Sequence, residues 1–284
     1  MKRFTIMLAI AAAAMLAAVS CTEKNTKNEE CILKEPVYAA VAAKYEFTEP
    51  VVIGASTIKS IEFTESGYAI ITKLVPNVKA ENEYREEVEV TTYSLNENGG
   101  YQVQGLGEVK TEDQALTIGE QSYPARLTEQ APINDDTKDL CRTWVISETT
   151  LSLKGGSLGN TAIGKLFRHG KVDEMVAWAR DHNVKVGEVH GYNVVDITFT
   201  KAGTFLVNFE SVEPFSGHWE LNGTEFTYDT PTIQDIFNNA SAHGAVVPLP
   251  NGYMLTATGS AEHGGEMYEA TVEITLAPAE ELKN

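Results

Sequence analysis

Gly155-Gly156-Ser157-Leu158-Gly159 has the Gly-x-Ser-x-Gly spacing of a nucleophile elbow, a turn that lifts a serine hydroxyl off a strand end toward a general base. Such a serine needs a parallel α/β sheet beneath it, a histidine, an acid and an oxyanion hole. The strands read around Ser157 are antiparallel, and no sequence rule selects a base between His169 and His190. The esterase reading is therefore the weakest of three. The histidines at 169, 182, 190, 218, 243 and 263 show no His-x-x-x-His spacing or Glu-paired zinc pattern. Glu262, His263 and Glu266 fall on a Gly-containing loop with one imidazole, which reads as a solvated loop. Glu81, Glu83, Glu86, Glu87 and Glu89 lack the Asp-x-Asp-x-Asp-Gly order of a calcium loop and read as a charged outer strand face. With 40 acids in the chain, a pair of carboxylates suited to glycoside hydrolysis has no weight. The reading is of a protein without catalysis, metal or cofactor.

The residues left with something to do are aromatic and apolar, and they recur at the period of two that marks a half-buried strand. Ile197 and Phe199 alternate with Asp196, Thr198 and Thr200; after Lys201-Ala202-Gly203, the residues Phe205, Val207 and Phe209 continue the pattern, giving one apolar and one wet face. Trp219 and Leu221 precede Asn222-Gly223, a strong hairpin turn, and Phe226 with Tyr228 carries the next strand. Strands over Tyr253–Thr258 and Met267–Leu276 complete a meander that opens with Trp144–Leu153. The first half is looser, with strands expected near Ile58–Phe63, Tyr68–Leu74, Glu87–Leu95 and Tyr101–Gly105.

The two halves share short motifs. Ile61-Glu62-Phe63-Thr64-Glu65-Ser66-Gly67 and Ile197-Thr198-Phe199-Thr200-Lys201-Ala202-Gly203 both read Ile-x-Phe-Thr-x-x-Gly, and Tyr93-Ser94-Leu95-Asn96 answers Trp219-Glu220-Leu221-Asn222. Shared turn chemistry alone could produce patterns this short, so common architecture and coincidence both stay open.

Helical spacing interrupts the second half. Asn160 is a good N-cap for a helix carrying Ile163, Leu166 and Phe167 and stopped by Gly170; Val172, Met175, Val176 and Ala179 make the stripe of a second. Thr230-Pro231 opens a third, with Ile233, Ile236, Phe237 and Ala240 on one side. Helices are thus expected near 160–182 and 231–241. The polar, turn-rich stretch 131–138 divides a β domain at 37–130 from a second at 139–284.

The N-terminus reads as an address. Lys2 and Arg3 precede an apolar, Ala-rich run from Ile6 to Val19 and the small residues before Cys21, so residues 1–20 form a secretory signal too short for a comfortable bilayer span. The Ala18-Val19-Ser20-Cys21 end resembles a bacterial lipoprotein lipobox, which implies acylation of Cys21. Several acyl chains at about 0.8 kcal/mol per buried CH₂ suffice for anchoring. Residues 21–36 would then be a lipidated polar tether. Lipoproteins exported to the surface of Bacteroidota often carry acids just after the lipid-bearing Cys, and Glu23, Glu29 and Glu30 are compatible with that. The expected address is the bacterial envelope, at the outer membrane, with periplasmic and surface-facing orientations both open. The whole chain carries 22 basic and 40 acidic residues, a charge of −18. Residues 1–20 hold two basic and no acidic ones, so their removal leaves −20. That excludes sequence-independent nucleic-acid binding and leaves the lipid to do the anchoring on anionic membranes. In an oxidising compartment Cys31 and Cys141 form a disulfide or stay as two unpaired thiols.

From Leu140-Cys141-Arg142-Thr143-Trp144 through the Ile197–Phe205 and Gly217–Gly223 segments, the second half resembles the lipocalin-like domains of Bacteroidota lipoproteins, whose Leu-x-x-Thr-Trp strand opens a meander. The resemblance covers about 140–276; the Gly-x-Trp of true lipocalins is replaced by Arg142-Thr143-Trp144. It implies a small barrel with an apolar interior, lined by Trp144, Phe199, Phe205, Val207, Trp219 and Tyr228, and a small apolar or amphipathic ligand as partner. The bland alternative is that these aromatics simply pack a core and the domains present edges and loops to a protein or glycan. The fold expected is all-β, with two antiparallel meander or barrel-like domains, the second lipocalin-like with a short helical insert after its first strand.

Overall fold

The computed structural model describes residues 42–77, 83–97, 99–112, 114–128, 138–182, 191–229, 242–263 and 266–278. They form two all-β units, each a closed antiparallel barrel with its own core.

In the first unit, β1 (Ala43–Ile53), β2 (Ser56–Phe63), β3 (Tyr68–Pro76), β4 (Tyr84–Leu95), β5 (Tyr101–Val103), β6 (Gly107–Glu112), β7 (Ala115–Ile118) and β8 (Gln121–Leu127) pair in sequence order. β8 returns to β1 through Ala125 opposite Phe47, so the sheet has no open edge. The interior is filled by Ile58, Ile61, Phe63, Ile71, Val109 and Leu116, all nearly inaccessible to water. Phe63 stacks on Tyr101 at 3.8 Å between ring centroids and meets Tyr93 edge-on at 5.2 Å. The acidic run on β4 is exposed, and its glutamates pair with Lys59, Lys73 and Arg85.

The second unit contains β9 (Thr143–Gly155), β10 (Ile163–Arg168), β11 (Val194–Phe199), β12 (Thr204–Phe209), β13 (Phe215–Asn222), β14 (Glu225–Asp229), β15 (Ala242–Leu249), β16 (Gly252–His263) and β17 (Glu266–Pro278). One helix, α1 (Val172–Asp181), follows β10. β17 closes the barrel by pairing with β9 from Trp144 to Gly155. The other edge of β9 is shared: its first residues pair with β11, and Glu148 to Leu153 pair with β10. β10 is thus a short wall extension beside an eight-stranded barrel of β9 and β11–β17. Gly170 bridges to Val194 at the start of β11, and a Cβ there would lie 2.7 Å from the Val194 side chain. That close approach turns the chain inward and lets α1 bury Val172, Met175, Val176 and Ala179 in the barrel core. Asn193 caps the helix from outside its own sequence: its Oδ1 accepts the Asp173 N–H at 3.2 Å.

Two expectations are corrected. The segment expected as the first helix of the insert, at Ile163, Leu166 and Phe167, is strand β10, because the free edge of β9 offers a ladder and Ile, Leu and Phe suit strands as well as helices. Nor is the outer face of β11–β12 wet. Asp196, Thr198 and Asn208 are buried beside Leu206, and these polar groups pair laterally, Thr143 with Thr198 and Asn208 with Asp196. The helix expected near 231–241 lies outside the described residues.

Leaving β10 aside, the barrels correspond strand for strand. Phe63 faces Ala69 across the β2–β3 hairpin as Phe199 faces Phe205 across β11–β12. Leu95 pairs with Tyr101 as Leu221 pairs with Phe226. The hairpin turns repeat bond for bond: Thr64 N–H donates to Tyr68 O at 2.8 Å and Gly67 N–H to Thr64 O at 3.2 Å, while Thr200 to Thr204 and Gly203 to Thr200 give the same two distances. The shared sequence motifs occupy these equivalent hairpins.

Candidate ligand-binding barrel

Five of the six aromatic and apolar positions singled out in the second half are brought together in one core. Trp144, Phe199, Phe205, Val207 and Trp219 are each at most 3% exposed. Phe199 lies edge-on to Trp219 at 5.8 Å and to Phe226 at 5.9 Å, and Trp219 stacks on Phe226 at 6.2 Å. Phe205 meets Phe215 edge-on at 5.8 Å. Trp144 is fixed at the strand's start, its indole N–H donating to Leu140 O at 2.8 Å and its ring edge-on to Tyr253 at 5.3 Å. Tyr228 stands opposite Trp219 in the ladder. The side chains of Trp144, Phe199, Phe205, Val207 and Trp219 belong to one packed core and form a filled floor at the end of the barrel where β9 begins.

The inner wall changes character toward the other end. On β16 and β17 the inward positions run through successive rungs from Tyr253 opposite Leu276, through Leu255 opposite Ile274 and Ala257 opposite Val272, to Gly259 opposite Ala270. On β15 the corresponding change is from Val246 opposite Leu255 to Gly244 opposite Ala257. Side chains thus shrink from aromatic to alanine and glycine within three rungs. Leu255 and Val246 are buried, whereas Ala257 and Gly244 are half-exposed although Ala257 is on the inward side of a closed wall. Gly244 is also required by the backbone, since a Cβ would stand 2.2 Å from Thr256 O. Sequence reasoning favoured large residues as ligand contacts and passed over this taper, which is legible as declining size at every second residue of β16.

β10 runs beside the far half of β9, from Ile163 opposite Leu153 to Arg168 opposite Glu148, and α1 follows it. Ile163, Lys165 and Phe167 face the same side as Leu153, Leu151 and Thr149. Phe167 is buried, with Trp178 of α1 edge-on at 6.0 Å. Trp178 in turn lies 4.7 Å from the His182 ring, whose Nδ1 is 2.8 Å from Trp178 O. The rim is completed by the Gly155–Gly159 loop, where Tyr268 Oη accepts the Ser157 N–H at 3.2 Å and also lies 3.2 Å from Ser157 Oγ. Gly156, at φ +51°, leaves room for the Tyr268 ring, which a Cβ would approach within 2.1 Å.

The Gly-x-Ser-x-Gly sequence forms this loop. Ser157 sits in a 3₁₀ turn between two antiparallel strands, and its hydroxyl meets a tyrosine. His169 donates its backbone N–H to Ser147 O, eight residues before the start of the loop along β9. His190 lies outside the described residues, as do the side chains of Glu262, His263 and Glu266.

Among the described residues three titrating groups are shifted. Asp196 is pushed up to about 6 by burial, against a hydrogen bond from Asn208. In the first barrel, burial and the neighbouring Tyr45 push Tyr101 up to about 12, partly offset by Thr111. Glu210 is held below the usual carboxylate range by hydrogen bonds from Lys171 and Asn193, a network that also steadies the start of α1. Cys141 is half-buried after the turn Lys138–Leu140; Cys21 and Cys31 lie outside the described residues.

No family model and no curated protein matches the chain. A crystal structure of a protein of unknown function from the DUF3598 family of Nostoc punctiforme is similar over 84% of this chain and 94% of its own, at 8% identity and a TM-score of 0.23. A likeness at that level carries no argument.

Proposed function

We propose that the chain is a non-catalytic envelope lipoprotein, held by acyl chains on Cys21, whose second barrel takes up a small apolar or amphipathic ligand. The observation that carries this reading is the taper of the inner wall. A closed eight-stranded barrel can either fill with side chains or leave space for one small ligand. Here the aromatics fill one end, while toward the other the wall shrinks to Ala257 and Gly244, both half-exposed, beside the buried Ala270. The opening residues from Leu140 to Trp144 and the hairpins at Phe199 and Trp219 resemble lipocalin-like lipoproteins, which supports the same class.

Native mass spectrometry of the protein before and after mild delipidation tests the reading. A reproducible adduct that vanishes on extraction is expected, and Ala257→Leu, which fills the widened rung, should lower its occupancy with the fold unchanged by circular dichroism. An apoprotein mass alone, with no uptake of fluorescent lipid probes, would sink the proposal. The barrels would then be packed modules presenting edges and loops to a protein or glycan.

A further inference from the structure

Lys165 stands where a core residue belongs. Its ladder partner on β9 is Leu151, which is fully buried, and its neighbours on the same side, Ile163 and Phe167, face Leu153 and Thr149. Yet Lys165 itself is exposed, with Nζ 4.9 Å from the centre of the buried Phe167 ring. The Phe167 ring face holds the ammonium on the side of β10 that Ile163 and Phe167 share. Lys59, Lys73, Lys110, Lys154 and Lys171 each have a glutamate within ion-pair distance, whereas Lys44, Lys165 and Lys201 have none among the described residues. Among the described residues no carboxylate pairs with Lys165, in a chain whose net charge is −18. A positive charge beside apolar side chains in so acidic a molecule suits a group with the same two parts.

We propose that the ligand of the second barrel is an amphipathic monoanion, its apolar body along the wall at Ala257 and its acidic head at Lys165. This rests on the ligand-binding reading above and adds to it the charge of the ligand and the residue that selects it. The strand bearing Lys165 is the extra one, β10, that has no counterpart in the first barrel, so the selecting charge enters with the insert. A neutral apolar ligand would gain nothing from Lys165. An anion gains an ion pair that is screened in proportion to its exposure to water.

The test compares cis-parinaric acid with its methyl ester, using the full chain and probe fluorescence. The wild-type protein should bind the acid about fivefold more tightly than the ester, the size of one partly exposed charge pair. In Lys165→Met that preference should fall to about unity with ester binding unchanged, Lys165→Arg should restore it, and about 1 M salt should erase it in the wild type. Equal binding of acid and ester by the wild type, or a preference that survives Lys165→Met, overturns the anionic ligand while leaving the barrel a binder. Failure of both probes to bind any variant overturns this inference together with the reading on which it rests.

Discussion

Asp196 has one carboxylate oxygen 3.3 Å from the Asn208 amide and the other buried with no hydrogen-bond partner. An ionised carboxylate so placed has lost its water without a cation to replace it, which is why its pKa rises from 3.8 to about 6. The folded state therefore holds the proton more tightly than the unfolded chain. Asp196 disfavours folding least below pH 3.8, and its cost grows as pH rises through about 6. The shift corresponds to about 3 kcal/mol at neutral pH, as an order of magnitude. Asp196→Asn should accordingly raise the urea midpoint at pH 7.5 and leave it little changed at pH 4. Equal effects at the two pH values would mean that the carboxyl is solvated in the fold. The same residue shows how sequence can mislead: in an alternating strand Asp196 reads as the wet face, and its burial follows from the outward side of β11–β12 being covered.

At the scale of elements, the duplicated hairpins offer a matched comparison. Gly67 and Gly203 end equivalent turns at φ +84° and +77°, a region that costs a residue with a Cβ about 1 to 2 kcal/mol. Gly67→Ala and Gly203→Ala should each lower stability by that amount, read from chemical denaturation followed by the near-ultraviolet signal of the tyrosines around Phe63 and of Trp219. A loss at one turn only would show that the hairpins are alike in sequence and not in energetics. These turns were legible in the sequence because Thr and Gly at fixed spacing carry the geometry locally. So were β2, β3, β11, β12 and β13, whose apolar residues alternate. β6 and β8 were not, since GEVKTE and QSYPARL are polar and the latter contains Pro124; their pairing is imposed by barrel closure. β10 was misread as helix because its ladder partner, the far half of β9, is a tertiary fact. The ligand wall was missed for a related reason: small residues signal space only once the register shows which way they face.

The whole molecule joins two properties that pull apart at a membrane. Its charge of −18 is repelled by anionic headgroups, and among the described residues no helix is long and apolar enough to cross a bilayer. If the chain works at an envelope, the attachment we propose is the N-terminal segment, where Cys21 follows a basic start, an apolar run and small residues. The polar stretch Thr22–Glu30 would then space an acidic, ligand-loaded barrel away from a like-charged surface, so lipid and tether act against the charge together. Cys21→Ser should move the protein from the membrane pellet to the soluble fraction of the envelope, with the barrel still folded and still binding the fluorescent fatty acid. The mass of the wild-type N-terminal peptide should exceed that of its amino acids by the acyl groups. A Cys21→Ser protein that stays in the pellet at high salt would place the attachment elsewhere in the chain. Release by salt alone would make it electrostatic, which for so acidic a molecule requires a basic partner in place of a lipid anchor.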